Sequence, residues 1–282
     1  MRIASAVIHR GEEPPLVTGK GSGTVFFTGC TLKCSFCQNV QISSDGMGTE
    51  VQPGTLKEIC RALEKAGASN INLVTGSHFI PGIVSELAEV KKEGFSLPIV
   101  WNSSGFESPE GLEIIAPFID VFLLDLKTVT PEGGASLFGP RGYPEAAKRT
   151  ALFAAEQAPP VFRGEALIKG TIIRHLIMPG MEEETEKVIQ WFGSHLAGKA
   201  LFSLMVQYID VQAAKSSKGN PSRQGRLLEM LDRSGIEDGF IQDPGDETPW
   251  IPDFNRWNPF PEKHSLPVWH WRCGFGESEP NT

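Results

Sequence analysis

Hydrophobic positions alternate between a helical spacing and short continuous runs from residue 55 onward. Leu56, Ile59 and Leu63 recur at helical spacing after a capping-box sequence, which predicts a helix over 55–66. The apolar run 71–74 that follows has the length of a buried strand. One helix followed by one short apolar strand is therefore the repeating unit of this part of the chain.

The same unit recurs as far as residue 209. Further helices are predicted over 83–92, after a Ser108 cap followed by proline, over 144–157 and over 183–195. Further strands are predicted over 98–101, 121–124, 170–177 and 201–209, and a short strand over 25–27 precedes the first unit. This recurrence predicts an α/β fold whose parallel sheet curves into an open or closed barrel with helices outside. In such barrels the active site lies at the carboxyl ends of the strands.

The two ends of the chain lack this repeat. Residues 11–24 are rich in glycine, proline and charge, which predicts an irregular lead-in. Their glycine-rich part lacks the spacing of a phosphate loop and is interpreted as a flexible turn. Residues 244–282 contain seven of the 21 prolines and four of the six tryptophans. We predict a barrel domain over 1–243 and an irregular, aromatic- and proline-rich tail over 244–282 that packs on the barrel or faces a partner.

Composition limits the partners and the location of the protein. The chain has 282 residues, which suffices for one large α/β domain. Its formal net charge of -8 disfavours nonspecific binding to nucleic acid or to an anionic membrane. No secretory signal and no apolar run of the length that a spanning helix needs are found in the sequence. These features predict a cytoplasmic protein without nucleic-acid or membrane partners.

Three of the five cysteines, Cys30, Cys34 and Cys37, lie within eight residues of each other, directly after the predicted strand 25–27. An odd number of cysteines with such close spacing is unlike a disulfide framework and predicts reduced thiols. A structural zinc site normally takes four protein ligands, but neither a second cysteine pair nor a nearby histidine supplies the fourth. Three thiolates suit a [4Fe-4S] cluster that keeps one iron open for a small molecule. Zinc is the less favoured alternative.

The run Cys30-Thr31-Leu32-Lys33-Cys34-Ser35-Phe36-Cys37 resembles the CxxxCxφC motif of the radical S-adenosylmethionine superfamily, where φ is an aromatic residue. The resemblance implies that the three cysteines hold a [4Fe-4S] cluster and that S-adenosylmethionine binds the fourth iron through its amino and carboxylate groups. It also implies that Phe36 lies near the adenine. The implied chemistry is reductive cleavage of S-adenosylmethionine to a 5′-deoxyadenosyl radical, which abstracts hydrogen from a substrate.

Further segments resemble the pyruvate formate-lyase activating enzymes, particularly their PflX-like branch. These segments are residues 29–39, 72–78, 125–127, 172–176 and 204–208. The resemblance covers roughly residues 1–243 and implies a partial (β/α)6 barrel of the radical S-adenosylmethionine type. It further implies a glycine on a glycyl radical enzyme as the substrate, and a flavodoxin or a ferredoxin as the electron donor.

The candidates for cofactor binding besides Phe36 lie at the ends of predicted strands. They are Thr75, Gly76, Asn102, Ser104, Asp125, Lys127 and Arg174. Thr75 and Gly76 fall where the superfamily often carries a Gly-Gly-Glu segment that holds the methionyl amino group, but the acidic residue is missing here. The resemblance implies that Lys127 and Arg174 contact the carboxylate or the ribose of S-adenosylmethionine. The alternative for both is an ion pair inside the barrel mouth.

The predicted function is that of a radical S-adenosylmethionine oxidoreductase that activates a glycyl radical enzyme. A different peptide or a small molecule is the alternative substrate within the same chemistry, because fold and motif do not select the substrate. An alternative of another class is a noncatalytic binding module whose cysteines hold a structural metal. An open iron discriminates between the two classes, since a structural site is fully ligated by protein.

Overall fold

A computed structural model describes residues 1–210, 215–218, 221–241 and 251–276 of the chain. The strands are β1 Arg2–His9, β2 Ser22–Phe27, β3 Thr49–Glu50, β4 Ile71–Val74, β5 Ile99–Ser103, β6 Val121–Asp125, β7 Val161–Arg163, β8 Ala166–Leu176, β9 Leu201–Met205, β10 Gln207–Asp210, β11 Lys215–Lys218, β12 Gly239–Ile241 and β13 Ser265–His270. The helices are α1 Val40–Ser43, α2 Thr55–Ala66, α3 Ile80–Lys92, α4 Pro109–Ile115, α5 Pro131–Phe138, α6 Tyr143–Gln157, α7 Glu182–His195 and α8 Pro221–Arg233. None of the helices in these ranges combines the length and the apolarity that crossing a membrane requires.

Most of the strands form one open sheet. Its order is β12-β9-β8-β6-β5-β4-β2-β1-β13, with β3 paired to β1 and β7 paired to β8. From β2 to β12, neighbours on this path are parallel and follow each other in chain order. A parallel sheet that adds each next strand on the same side winds in one direction, as in a barrel. Because β12 and β13 end the path, the barrel is not closed, and the predicted α/β fold with a partial barrel is confirmed.

Several boundaries differ from the sequence prediction. The predicted capping box of α2 is wrong, because Thr55 is already helical and Gly54, with a φ of 93°, occupies the cap without a side-chain hydrogen bond. The Ser108 cap of α4 is confirmed, since its hydroxyl accepts a hydrogen bond from a helix N–H at 3.0 Å. The predicted strand 201–209 is two strands, because β9 and β10 are separated at Val206.

The lead-in is more ordered than the sequence indicated. β2 begins at Ser22, and β1, which the sequence did not predict, pairs with it antiparallel. Between these two strands, Leu16 is 1% exposed and packs inside the barrel. Its neighbours are apolar residues in the first parts of the strands: Val100, Val121, Leu123, Leu167, Ile172 and Leu201. The flexible-turn interpretation of the glycine-rich part is wrong from Ser22 onward, since Ser22 begins β2, whereas residues 19 and 20 do form a turn. The packing of Leu16 closes the amino-terminal end of the barrel.

The C-terminal segment 251–276 adds a strand and an aromatic cluster to the barrel. β13 pairs antiparallel with β1, and it tolerates Pro267 because it is an edge strand. Phe254 and Phe260 are buried, with ring centroids 5.3 and 5.4 Å from that of Phe26 on β2. The segment thus belongs to the core at the β1–β2 side of the barrel. The predicted boundary between residues 243 and 244 lies outside the described residues.

We expect Phe254→Ala to destabilise the protein by about 3–5 kcal/mol, because the ring is fully buried and its loss leaves a cavity beside Phe26. Urea unfolding followed by circular dichroism measures this. The matched control is Phe275→Ala, since the Phe275 ring is 45% exposed, and we expect it to change stability by less than about 0.5 kcal/mol. Equal stabilities of Phe254→Ala and wild type would contradict a core role for the segment.

Candidate functional site

The loop that carries the cysteines leaves the carboxyl end of β2 and is anchored on two sides. At its start, Nε2 of His78 lies 2.8 Å from the carbonyl oxygen of Thr28. Gly29 has a φ of 93°, and a Cβ there would lie 2.9 Å from the same ring nitrogen, so this position requires glycine. Further along, Arg141 donates a hydrogen bond at 3.0 Å to the carbonyl of the buried Leu32. These contacts fix the loop against the segments that follow β4 and α5.

The three thiols of the loop share one electrostatic environment. The sulfur of Cys30 accepts a hydrogen bond from a backbone N–H at 3.4 Å, and that of Cys37 from the hydroxyl of Ser43 at 3.3 Å. Burial raises the pKa of Cys34 to about 11, the charge of Lys127 opposes this rise, and the other two thiols add to it. Because burial disfavours a thiolate, three thiolates on this loop require a positively charged group to hold them.

This donor set fits an iron–sulfur cluster. Sulfur ligands select soft metals, and hydrogen bonds to the sulfurs are a normal feature of such clusters. Within the described ranges, no three His, Cys, Asp or Glu side chains are placed to hold a single metal ion. The thiolates of a four-iron cluster bind different iron atoms and so lie further apart than the ligands of one ion. The loop thus supplies the sulfur ligands that an iron–sulfur cluster takes.

Asp125 lies at the centre of a buried ion-pair network at the carboxyl ends of β6 and β8. Its carboxylate accepts hydrogen bonds from Nζ of Lys127 and from Nε of Arg174, both at 2.8 Å. Arg174 also donates to the side-chain oxygen of Asn102 on β5 at 2.7 Å. Burial opposes ionisation of Asp125, but the charges and hydrogen bonds of Arg174 and Lys127 outweigh it and lower the pKa to about 2. Asp125 is therefore ionised at neutral pH and holds both cations in place.

Lys127 connects this network to the cysteine loop. Its Nζ lies 5.8 Å from the centroid of the Phe36 ring. Burial opposes the charge of Lys127, but the carboxylate of Asp125 outweighs burial and raises the pKa of the amine above its ordinary value. The Phe36 ring lies 6.4 Å from that of Phe138, which lies 4.6 Å from that of Tyr143. An aromatic surface and a fixed positive charge thus lie side by side next to the thiols.

The hydroxyl of Tyr143, which the sequence did not nominate, joins two strand ends. It lies 3.0 Å from the carbonyl oxygen of Ser104 and 2.9 Å from that of Asp125, and it accepts a hydrogen bond from the N–H of Lys127 at 3.0 Å. Because a hydroxyl has one proton, it donates to one of these carbonyls at a time. A tyrosine at the start of an alanine-rich helix was an available signal, since a buried tyrosine needs a partner for its hydroxyl.

The end of β4 has an unusual backbone. Thr75 has a φ of 60°, which is left-handed for a residue with a side chain, and its N–H donates to the carbonyl of Asn102 at 2.8 Å. Gly76 has no room for a side chain, since a Cβ would lie 2.7 Å from a buried isoleucine. Backbone groups therefore line this strand end. The sequence lacks the acidic residue of the Gly-Gly-Glu motif here, but another carboxylate lies close to this strand end, because Glu107 accepts a hydrogen bond from Ser77 at 2.7 Å.

Most of the predicted residues come together. One connected set runs from the cysteine loop to three strand ends and contains Phe36, Lys127, Asp125, Arg174 and Asn102. Thr75 joins the set through Asn102, and Ser104 joins it by its backbone carbonyl. Lys127 and Arg174 do form the ion pair that the sequence left as the alternative to ligand contact.

The sequence missed two carboxylates that the lead-in places inside the barrel. Oε2 of Glu12 lies 3.4 Å from a terminal nitrogen of Arg174, and Oε1 of Glu13 lies 3.9 Å from its Nε. Glu13 also accepts a hydrogen bond from the hydroxyl of Ser203 at 3.2 Å. Burial raises the pKa of Glu13 to about 7, although the charge of Arg174 opposes the rise. The sequence did contain a signal for this placement. Two adjacent acidic residues precede two prolines and Leu16, which is an apolar residue in a polar loop.

Comparison with known families shows which superfamily the chain belongs to. Residues 24–192, more than half of the chain, match the family described as the Radical SAM superfamily. The chain belongs to the radical S-adenosylmethionine superfamily. Members of this superfamily use a [4Fe-4S] cluster and S-adenosylmethionine, so the predicted superfamily and its cofactors are confirmed. The matched range contains the three cysteines and every predicted site residue.

The proteins that this chain resembles are of several kinds. An uncharacterized protein of Methanocaldococcus jannaschii is 31% identical over 215 residues, which cover 74% of this chain and 59% of that protein. The chain thus spans less than two thirds of the length of this relative. The structure of SuiB from Streptococcus suis bound to S-adenosylmethionine has a TM-score of 0.54 at 17% identity, over 78% of this chain and 52% of SuiB. A domain of a pyruvate-formate lyase-activating enzyme from Bacteroides vulgatus has a TM-score of 0.46 at 11% identity, over 62% of this chain and all (100%) of that domain. At that level of likeness we base no argument on it.

We expect Glu13→Gln to stabilise the protein increasingly as the pH rises from about 5 to 8. The pKa of Glu13 is raised from an ordinary value of 4.5 to about 7. Below pH 4.5 both the folded and the unfolded states are protonated, so the carboxyl has no effect on stability. As the pH rises, the unfolded state releases this proton first, and the wild type loses stability that the glutamine variant keeps. We expect a difference on the order of 1–3 kcal/mol at pH 8.

Denaturant unfolding at a series of fixed pH values measures this difference. Glu165→Gln, at an exposed carboxyl beyond the opposite end of the barrel, is the control and should show no such trend relative to wild type. A difference between Glu13→Gln and wild type that stays constant from pH 5 to pH 8 would contradict the raised pKa.

Proposed function

We propose that Cys30, Cys34 and Cys37 hold the [4Fe-4S] cluster and that the protein reductively cleaves S-adenosylmethionine. The observation that carries this proposal is the loop, in which three thiols share one environment beside a fixed cation and an aromatic ring. When bound, the cluster and S-adenosylmethionine supply a 5′-deoxyadenosyl radical that abstracts a hydrogen atom from the substrate. The task of the protein's own residues is to bind and orient these groups and to exclude water.

Phe36, Lys127 and the backbone at the end of β4 bind S-adenosylmethionine in this proposal. Phe36 packs against the adenine, next to the thiols. The ammonium of Lys127 has three N–H donors, so it can bind the methionyl carboxylate while it keeps its hydrogen bond to Asp125. Thr75 and Gly76 receive the methionyl amino group with their backbone, which turns at the end of β4 where Thr75 has a φ of 60°.

The remaining candidates orient the ribose side of the cofactor. Arg174, Asn102 and Ser104 lie at the ends of neighbouring strands, where Arg174 donates to Asn102 at 2.7 Å. Asp125 acts through the two cations that it holds, since its carboxylate is already occupied by Lys127 and Arg174. In this proposal Asp125 positions Lys127 and Arg174, while Arg174 and Asn102 contact the ribose of S-adenosylmethionine.

The proposed substrate is a glycine on a glycyl radical enzyme, with a flavodoxin or a ferredoxin as electron donor. Support comes from the segments that resemble the activating enzymes, including 29–39 around the cysteines and 125–127 at the end of β6. The alternative is another peptide or a small molecule; SuiB, which shares the fold, has been captured with its precursor peptide SuiA. A cluster held by reduced thiols suits the cytoplasm, where we place the protein.

We expect Cys34→Ala to abolish the cluster, because it removes one of only three protein ligands in the motif. After anaerobic reconstitution with iron and sulfide, the visible absorbance of the cluster should be lost, and formation of 5′-deoxyadenosine should fall to background. Cys60→Ala is the control, since Cys60 is buried in α2, away from the loop, and it should keep both signals. Full cluster content and cleavage in Cys34→Ala would contradict the assignment.

The substrate proposal predicts a glycine-centred radical. We expect incubation of the reduced protein and S-adenosylmethionine with a candidate glycyl radical enzyme to give this radical, read by electron paramagnetic resonance. The same candidate with its radical-bearing glycine replaced by alanine is the control and should give none. If 5′-deoxyadenosine accumulates with every candidate but no glycine radical forms, the alternative substrate class is favoured.

A further inference from the structure

The lead-in holds two carboxylates inside the barrel. Glu12 and Glu13 lie in the connection between β1 and β2, and their side chains are only 10% and 7% exposed. Leu16 anchors this connection in the apolar floor of the barrel, and the side chain of Asn70 donates to the carbonyl of Leu16 at 2.8 Å. The carboxylates are therefore held within the barrel, although burial alone would drive them out.

The charged groups around this space do not balance. Among the described residues they are three carboxylates and two cations, namely Glu12, Glu13, Asp125, Arg174 and Lys127. Arg174 lies nearest to Asp125, at 2.8 Å, against 3.4 and 3.9 Å for the two glutamates. His9, which lies 3.8 Å from Glu12, supplies no charge at neutral pH, because burial lowers its pKa to about 4. When both glutamates are ionised, one negative charge is thus left without a matching cation, and Glu12 contributes to the raised pKa of Glu13.

Unused polar atoms lie next to this excess charge. Asn72 on β4 is fully buried, and within the described part of the chain its amide faces the carboxyl of Glu12 but makes no hydrogen bond of normal geometry. Burial raises the pKa of Glu12, and the amide of Asn72 acts in the opposite direction, which places it beside that carboxyl. Oε2 of Glu13 is also buried without a partner among the described residues. Because buried polar atoms are nearly always satisfied, these atoms mark a place for a missing group.

We propose that Glu12, Glu13 and Asn72 bind a cationic nitrogen group of the substrate, an ammonium or a guanidinium. Such a group supplies the missing positive charge, and its N–H donors match the free oxygens of Glu13 and Asn72. Arg174 lies between this site and Lys127 along the chain of hydrogen bonds, so the cationic group is held on the side of Arg174 that faces the lead-in, further from the cysteine loop than Lys127. The inference rests on the proposed function, because it names a feature of the substrate for the same barrel.

Other occupants fit these observations less well. A hard divalent ion takes several oxygen ligands, mainly carboxylates, around one point, but the described residues include no three His, Cys, Asp or Glu side chains so placed. A neutral polar group leaves the excess charge unbalanced. The chemistry that remains is an organic cation, either a lysine, arginine or amino terminus of a peptide or a small amine.

Binding of n-butylammonium to the full-length protein with its oxidised cluster tests the site. The matched neutral probe is n-butanol, which has a hydroxyl in place of the ammonium. We expect ligand-observed nuclear magnetic resonance to show n-butylammonium binding at least about tenfold tighter than n-butanol. Equal affinities overturn the proposal. The proposal is also overturned if potassium chloride displaces n-butylammonium and tetramethylammonium chloride at the same concentration does not. That result would show a site for an inorganic ion.

Two variants locate the binding. We expect Glu13→Gln and Asn72→Leu each to weaken n-butylammonium binding at least about tenfold, and Glu165→Gln, at an exposed carboxyl, to leave it unchanged. Asn72→Leu keeps the branched shape of the side chain and removes a buried amide that makes no hydrogen bond of normal geometry, so its melting temperature should be equal to or above that of wild type. Unchanged binding in both variants overturns the proposal.

Two further measurements identify the source of the cation and test the proposed function independently of the site. Tighter binding of N-acetyl-lysine methylamide than of n-butylammonium supports the site and assigns it to a peptide lysine, while weaker binding supports the site and assigns it to a small amine. Formation of 5′-deoxyadenosine without substrate is measured on the same samples. Cleavage without a preference for n-butylammonium overturns this inference and leaves the proposed function standing. A preference without cleavage supports the site and overturns the proposed function.

Discussion

The two cations held by the carboxylate of Asp125 are the constraint on which the site depends. Lys127 and Arg174 would repel each other in a buried barrel mouth, and Asp125 between them turns that repulsion into a fixed arrangement. Through Lys127 the arrangement reaches Phe36 and the cysteine loop, and through Arg174 it reaches the lead-in. Electrostatics thus order the carboxyl ends of the strands, while apolar packing orders their amino ends. A single strand serves both purposes, since β6 begins in the apolar floor and ends in the ion pairs.

Features that depend on short stretches of sequence could be predicted, and features that depend on distant contacts could not. The three cysteines, the strand ends and the alternation of helix and strand are local patterns, and each led to the correct part of the barrel. Glu12 and Arg174 are 162 residues apart in the sequence, so no local pattern links them. The same reason hides β1, whose partner strands are set by the fold and whose polar residues interrupt its apolar alternation. Tyr143 was missed because its role depends on two strand ends that its own helix only approaches in space.

The chemistry shared with the superfamily and the individual features of this protein lie in different parts of the chain. The matched range, 24–192, holds the cysteines and the ion-pair network. The glutamates of the lead-in and the aromatic residues of the segment 251–276 lie outside it, yet both pack into the barrel. In radical chemistry the cofactor performs the difficult bond cleavage, and the protein selects what meets it. Both flanking segments thus pack against the same barrel that carries the cysteine loop.

The position of β1 between β2 and β13 has a consequence for synthesis of the protein. The side chain of Ser5 bonds to the backbone of Trp269, across a sequence separation of 264 residues. A nascent chain therefore exposes one unpaired edge of β1 until β13 has been synthesised, and such long-range pairing is slow. The cysteine loop directly follows β2, which pairs with β1. The sheet beside the cysteine loop is therefore completed only when β13 pairs with β1, and a chain that lacks β13 leaves an open strand edge that favours aggregation.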